Sequence, residues 1–74
     1  MDQGKFLNAL KEALEIENRE VQLSDKFKEY QEWDSLSRLS LIALLDDEYD
    51  IQIEEDDFKD LDTVEDLFNA VNKK

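Results

Sequence analysis

The chain has 74 residues, of which 21 are acidic and 9 are basic, so its formal net charge at pH 7 is -12. This length allows one domain with one small core, predicted to span residues 1–74, and the negative charge disfavours nucleic acid and anionic membranes as partners. Hydrophobic residues make up 41% of the chain, which is too many for a fully disordered acidic tail. Cysteine is absent, so nothing points to a disulfide-stapled mini-protein, and no stretch approaches the length of a membrane span.

The first amphipathic pattern predicts a helix over roughly 3–15. Its apolar residues recur at spacings of three and four: Phe6, Leu7, Leu10, Ala13 and Leu14. Asp2 is the predicted N-cap of this helix. The next segment, 16–32, shows no sustained period and predicts a long loop with one short turn near 25–29. Its apolar residues are predicted to anchor the loop to the core: Val21, Leu23 and Phe27, followed by Tyr30 and Trp33.

Residues 35–49 carry the strongest apolar pattern and predict a central helix capped by Asp34. The predicted core-facing stripe of this helix is Leu36, Leu39, Ile42, Leu45 and Tyr49, widened by Leu41, Ala43 and Leu44. Ser37 and Ser40 are predicted to be ordinary polar residues of the helix. The helix ends in Asp46, Asp47 and Glu48, which carry the wrong sign of charge for a helix C-terminus.

The last third of the chain predicts an extended connector, a short helical turn and a final helix. Ile51 and Ile53 are expected to fill the core, and residues 54–60 to form one or two turns. Thr63 is the predicted cap of the last helix, with Asp66 completing a capping box. The predicted fold is therefore all-α, a small antiparallel four-helix bundle of three main helices and a short one, with a long first loop.

Ser35 follows the predicted cap, so its hydroxyl is expected in water in the first turn of a helix. Free N–H groups and partial positive charge at a helix start favour a phosphate ester on that hydroxyl. The chain has neither histidine nor cysteine, so Ser35 lacks the usual partner of a catalytic serine and the protein has no thiol of its own. These features indicate an attachment point rather than a nucleophile.

From Trp33 to Val71 the sequence resembles an acyl carrier protein of the stand-alone kind. The likeness lies in Asp34-Ser35-Leu36 at the start of an apolar helix, in the β-branched Ile51 and Ile53, and in two further runs, Asp46-Asp47-Glu48-Tyr49 and Thr63-Val64-Glu65-Asp66-Leu67. The tripeptide alone is weak evidence, but the whole pattern at this length and acidity is specific.

The resemblance implies a carrier that is not an enzyme. Ser35 would receive 4'-phosphopantetheine from coenzyme A through a magnesium-dependent phosphopantetheinyl transferase, with Asp34 capping the helix and Leu36 beside the attachment point. The thiol of the arm would carry acyl groups as thioesters to enzymes that bind through basic patches. The presumed docking residues are Arg38, Leu39 and Ile42, followed by Asp46, Asp47 and Glu48. The expected state is a cytoplasmic monomer that binds neither nucleic acid nor membranes, without a metal site.

One departure from the family pattern concerns the choice of partners. Typical fatty-acid carriers have acidic residues in the first two turns after the serine, where this chain has Ser37, Arg38 and Ser40. We therefore expect dedicated partner enzymes, from a specialised lipid, polyketide, surface-glycan or aminoacyl pathway. For Arg38 itself, a solvated side chain or a surface pair with a nearby acidic residue is a simpler prediction than a role in specificity.

Two alternatives involve the acidic segment 46–66, which contains twelve acidic residues and one basic residue. It would suit an acidic interaction or inhibitor protein that binds a basic surface. Its acidic spacing also approaches that of a calcium loop, but Ile51 occupies the position at which such a loop needs glycine, so a calcium sensor is improbable. Replacement of Ser35 separates these alternatives from a carrier.

Overall fold

Three α-helices, joined by two irregular connections, form the structure, a computed structural model that describes residues 2–73. The helices are α1 (Gln3–Leu14), α2 (Ser35–Tyr49) and α3 (Val64–Asn72), and each connection contains one 3-10 turn, Phe27–Glu29 and Glu55–Phe58. No strand occurs between residues 2 and 73. The all-α prediction is confirmed, although the short fourth helix is a single 3-10 turn.

The ends of α1 are fixed by local hydrogen bonds. The Asp2 carboxylate accepts from the backbone N–H of Gly4 at 2.7 Å, as expected for the predicted N-cap. The helix ends one residue before the prediction, because Glu15 adopts a left-handed conformation with φ 58°. This turn allows the N–H of Ile16 to reach the carbonyl of Lys11 at 2.9 Å, and it directs Ile16 into the core.

The long first connection is held by its apolar side chains, as predicted. Phe27 is fully buried and Val21 nearly so, while Leu23, Tyr30 and Trp33 are half-buried against the same core. The connection also bonds to the start of α3, since the carbonyls of Leu23 and Asp25 accept from the first backbone N–H groups of that helix. The segment is therefore an ordered part of the bundle.

Arg19 and Glu32 clamp the two ends of this connection together. The guanidinium donates two parallel hydrogen bonds to the carboxylate, at 2.8 and 2.9 Å, and lies 5.1 Å from the centre of the Tyr30 ring. The hydroxyl of Tyr30 in turn donates to Asp25 at 2.7 Å. The hydrogen bonds from Arg19 lower the pKa of Glu32 from its usual 4.5 to about 2.

Removal of the Glu32 carboxylate is expected to make the protein less stable above pH 5 and to matter progressively less in acid. A carboxyl group whose pKa is lowered by folding stabilises the folded state above its unfolded pKa, and this contribution disappears as the pH falls toward its folded pKa. The difference in melting temperature between wild type and Glu32→Gln should therefore shrink between about pH 5 and pH 2. Melting curves across this range test the prediction, with Glu29→Gln, an exposed carboxylate nearby, as the control. A difference independent of pH would contradict it.

The limits of α2 agree with the prediction, but its predicted core-facing stripe is wrong at Leu36 and Leu39. Leu41 and Leu45 are fully buried and Ser37 is 8% exposed, whereas Leu36 is 75% and Leu39 51% exposed. Ile42 and Tyr49 are half-buried. Leucines and isoleucine occur on every side of this helix, so their spacing does not determine which side packs. Ser37 can be buried because its hydroxyl is hydrogen-bonded to the backbone of Asp34. With Ser37 on the buried side of the helix, Leu36 and Leu39 face solvent.

The second connection contributes Ile53 and Phe58 to the core, as expected for a segment with apolar anchors. Asp50 ends α2 in a left-handed conformation with φ 55°. Thr63 and Asp66 form the predicted capping box of α3. The buried face of α3 is also as predicted, with Val64, Leu67 and Val71 buried and Phe68 half-buried.

Three aromatic rings join the two connections next to the start of α2. Trp33 packs edge-on against both Phe27 and Phe58, with ring centres 4.8 and 5.3 Å apart. Such pairs stabilise by about 0.5–1.5 kcal/mol beyond their burial. Because Trp33 directly precedes the capping residue Asp34, this cluster fixes where α2 begins.

Candidate functional site

A reciprocal capping box places Ser35 as the first residue of α2. The N–H of Ser37 donates to the Asp34 carboxylate at 2.8 Å, and the N–H of Asp34 donates to the Ser37 hydroxyl oxygen at 2.9 Å. The first of these bonds lowers the pKa of Asp34. Ser37 was predicted to be an ordinary polar residue, which is wrong. The sequence did contain an indication of this role, because a hydroxyl three residues after an N-cap can close a capping box.

The Ser35 side chain is exposed, and its hydroxyl has a cationic neighbour. Nη2 of Arg38 lies 3.5 Å from Oγ of Ser35, at the limit of a hydrogen bond. A guanidinium keeps its proton in proteins and has no acceptor, so Arg38 cannot act as a base toward the hydroxyl. The arrangement favours an ester oxygen near positive charge and provides no activated nucleophile.

Glu55 holds Arg38 in this position from the other side. Nε of Arg38 donates to Oε1 of Glu55 at 3.2 Å, and the two side chains are 28% and 52% exposed. The predicted surface pair of Arg38 with an acidic residue is confirmed. The sequence did not indicate which acidic residue pairs with Arg38. Glu55 is 17 residues away, and the path of the second connection brings it next to Arg38.

A groove of about 580 Å³ begins at Arg38 and runs between the two connections. Trp33 and Phe58 form its aromatic part, and Lys28 and Lys59 its cationic part. Lys28 donates to the backbone carbonyl of Lys59 at 3.3 Å, and Lys59 pairs with Asp56 at 3.2 Å. Three of the nine basic residues of this acidic chain thus line one groove beside Ser35.

The exposed face of α2 is apolar near Ser35 and acidic at the far end of the helix. Leu36 and Leu39 form the apolar part, and Asp46, Asp47 and Glu48 are all exposed. Ile42, also predicted for docking, is half-buried against the core. The structure brings Asp34, Ser35 and Arg38 together. Asp46, Asp47 and Glu48 lie about three to four turns beyond Ser35 along α2.

The residues around Ser35 fit a phosphopantetheine group. The Oγ atom is accessible, the first turn of a helix of 15 residues supplies N–H groups, and Arg38 supplies a cation within reach. Within residues 2–73 no group of three or more acidic side chains is placed to hold a metal ion. In the same part of the chain, no helix is long and apolar enough to cross a membrane.

Comparison with known proteins gives consistent matches. A family model described as the phosphopantetheine attachment site matches residues 4–71. An acyl carrier protein of Kocuria rhizophila is 32% identical over 57 residues, which cover 77% of this chain and 70% of that protein. The solution NMR structure of a holo acyl carrier protein from Geobacter metallireducens shares the fold, with a TM-score of 0.78 and 24% identity over 96% of this chain and 82% of that one.

Proposed function

The chain belongs to the acyl carrier protein family, and from this premise we propose that Ser35 is the residue to which its 4'-phosphopantetheine group is attached. The family assignment confirms the resemblance predicted from the sequence and makes the protein a non-catalytic carrier. The observation that carries the assignment to Ser35 is its exposed hydroxyl at the first residue of α2, beside Arg38. The attached group supplies a terminal thiol, which this cysteine-free chain lacks, and the thiol carries acyl groups as thioesters.

The chain's own residues give the arm a fixed origin. Asp34 and Ser37 lock the first turn of α2 through their reciprocal hydrogen bonds, so the position of Ser35 does not depend on a mobile loop. The Trp33 ring, wedged between Phe27 and Phe58, holds the residues just before the cap. A partner enzyme therefore meets the arm at a defined point on a rigid helix, which lowers the entropy cost of productive encounters.

A test of the carrier function is reversible acylation. The protein, loaded by a permissive phosphopantetheinyl transferase with coenzyme A, is then incubated with an acyl donor and a loading enzyme. We expect a second mass increase that neutral hydroxylamine removes, because this reagent cleaves thioesters. An acyl adduct that resists hydroxylamine, or no second increase with any acyl donor tried, would contradict the proposal.

We further propose that the partners belong to a specialised acyl or aminoacyl pathway, and that the carrier acts there as a cytoplasmic monomer of one domain. The absence of acidic residues in the first two turns of α2 supports this choice. Arg38 is paired with Glu55, and Leu36 and Leu39 are exposed apolar side chains on the helix that carries Ser35. Rates with general fatty-acid enzymes should therefore be well below those with enzymes of the dedicated pathway, and equal rates would contradict the proposal.

The docking surface that we propose combines this apolar part with the acidic end of α2. Apolar contacts near the arm contribute affinity, whereas exposed acidic residues at the rim increase the rate of association with a basic patch. Asp46, Asp47 and Glu48 are placed for the second role, because they are exposed on the helix that carries Ser35. The alternative of an acidic inhibitor acting through residues 46–66 stays a prediction without a specific observation in its favour.

Neutralising the acidic end of α2 is expected to weaken partner binding without weakening the fold. The triple variant Asp46→Asn, Asp47→Asn, Glu48→Gln should lower kcat/KM of a partner enzyme for the carrier by about tenfold at low salt. Its melting temperature should rise, because these charges oppose the helix dipole. Steady-state kinetics at low and high salt, together with melting curves, measure both effects.

The matched control removes three acidic residues elsewhere, through Asp60→Asn, Asp62→Asn and Glu65→Gln. These side chains are exposed and lie outside α2, so the net charge changes equally without altering the proposed docking surface. Equal losses of kcat/KM in the two triple variants would show that overall charge, and not the end of α2, determines association.

A further inference from the structure

Arg38 is placed to bind an anion attached to Ser35. The two residues are three apart on α2, a spacing at which side chains are neighbours, and Nη2 lies 3.5 Å from Oγ. A phosphodiester formed at Oγ adds two non-bridging oxygens next to the atom that the guanidinium already contacts. We propose that Arg38 binds this phosphodiester and so positions the base of the arm, an inference that rests on Ser35 being the attachment residue.

The pair with Glu55 prepares the guanidinium for this role. Glu55 accepts from Nε, whereas a different nitrogen, Nη2, lies next to Oγ of Ser35. Arginine has five N–H donors in a rigid fork, so it can keep the carboxylate on Nε and bind phosphate oxygens with other donors. Since Glu55 already restricts a long side chain, less rotamer entropy remains to be lost when the phosphodiester is bound.

The negative charge of the protein makes a cation beside the phosphodiester favourable. The chain has a net charge of -12, Asp34 directly precedes Ser35, and Glu55 is bonded to the Arg38 that contacts Ser35. A further anion attached there is repelled unless a cation is beside it. Arg38 places a cation within reach of Oγ, and its charge-assisted hydrogen bonds are stronger than those of neutral donors.

Binding at the base of the arm also gives the arm a direction. Arg38 lies at the start of the groove that Trp33 and Phe58 line. A phosphodiester bound by Arg38 would place the base of the arm at that end of the groove. The environment of the phosphorus atom is therefore the property that reports the loss of Arg38 most directly.

The test compares fully loaded proteins by ³¹P NMR and by melting, with loading at Ser35 verified by intact mass and fragmentation. In Arg38→Gln the ³¹P resonance should move toward its position in the urea-unfolded holo protein. The melting temperature of the holo form minus that of the apo form should fall by about 2–4 °C relative to wild type, and high salt should reduce this gap.

Two further variants distinguish phosphate binding from other effects of the substitution. Glu55→Gln breaks the same ion pair but leaves the guanidinium, so its ³¹P resonance should move much less than that of Arg38→Gln. Lys59→Gln removes a cation from the same groove and should keep the wild-type ³¹P position. A resonance unchanged in Arg38→Gln, or shifted equally in Glu55→Gln, would overturn the inference while the carrier proposal stands. A wild-type protein that is not loaded at Ser35 would contradict both.

Discussion

Ser35→Ala is expected to abolish modification completely while leaving the fold intact. The variant, incubated with coenzyme A and a permissive phosphopantetheinyl transferase, should show no mass increase, whereas the wild type gains one phosphopantetheine group. The loss is complete because no other atom can substitute for the Oγ that forms the ester bond. Ser35 is exposed, and Asp34 and Ser37 form the cap without its hydroxyl, so the melting temperature should change little.

The neighbouring serines of α2 provide the controls for this experiment. Ser40→Ala removes an exposed hydroxyl from the same helix and should be modified at the wild-type rate. Ser37→Ala removes part of the capping box and should lower stability by about 0.5–2 kcal/mol, yet remain a substrate. Modification of Ser35→Ala to the wild-type extent would show that another residue carries the arm.

Leu41→Ala is expected to destabilise the protein far more than Leu36→Ala, although both truncate a leucine of α2. Leu41 is fully buried, so its truncation removes transfer free energy and leaves a cavity, at a cost of about 2–5 kcal/mol. For a domain of this size, total stability is on the order of 5–10 kcal/mol, so the melting temperature should fall by roughly 10–20 °C. Thermal and urea unfolding of the apo protein measure both quantities.

Leu36→Ala makes the same chemical change on the opposite side of the helix. Leu36 is 75% exposed, so its truncation should alter the free energy of unfolding by no more than about 0.5 kcal/mol. The comparison tests the orientation of α2 directly, because the stripe expected from spacing alone would place Leu36 in the core. Equal destabilisation by the two substitutions would contradict the structure.

The starts of the helices and the buried faces of α1 and α3 could be predicted from the sequence, whereas the orientation of α2 could not. Helix limits followed from local chemistry, because Asp2, Asp34 and Thr63 each satisfy backbone N–H groups within their own first turn. The faces of α1 and α3 also followed from spacing, since their apolar residues occupy one side. Local hydrogen bonding and a one-sided pattern are properties that a sequence displays.

The orientation of α2 and the surroundings of Ser35 did not follow from the sequence. With apolar residues on all sides of α2, the packing of the other elements decides which leucines are buried. The Arg38–Glu55 pair depends on the path of the second connection, and the Arg19–Glu32 pair on that of the first. The capping role of Ser37 was readable from its position after Asp34, but a serine at that position also occurs without such a box.

We propose that one exposed hydroxyl at the start of α2, that of Ser35, carries the prosthetic group of this carrier. The most direct measurement is fragmentation mass spectrometry of the wild-type protein after reaction with coenzyme A and a competent transferase. We expect one phosphopantetheine group per chain, on the peptide containing Trp33-Asp34-Ser35, with the modified atom assigned to Ser35. An adduct on another residue, or a protein that stays unmodified beside a positive control, would contradict the account.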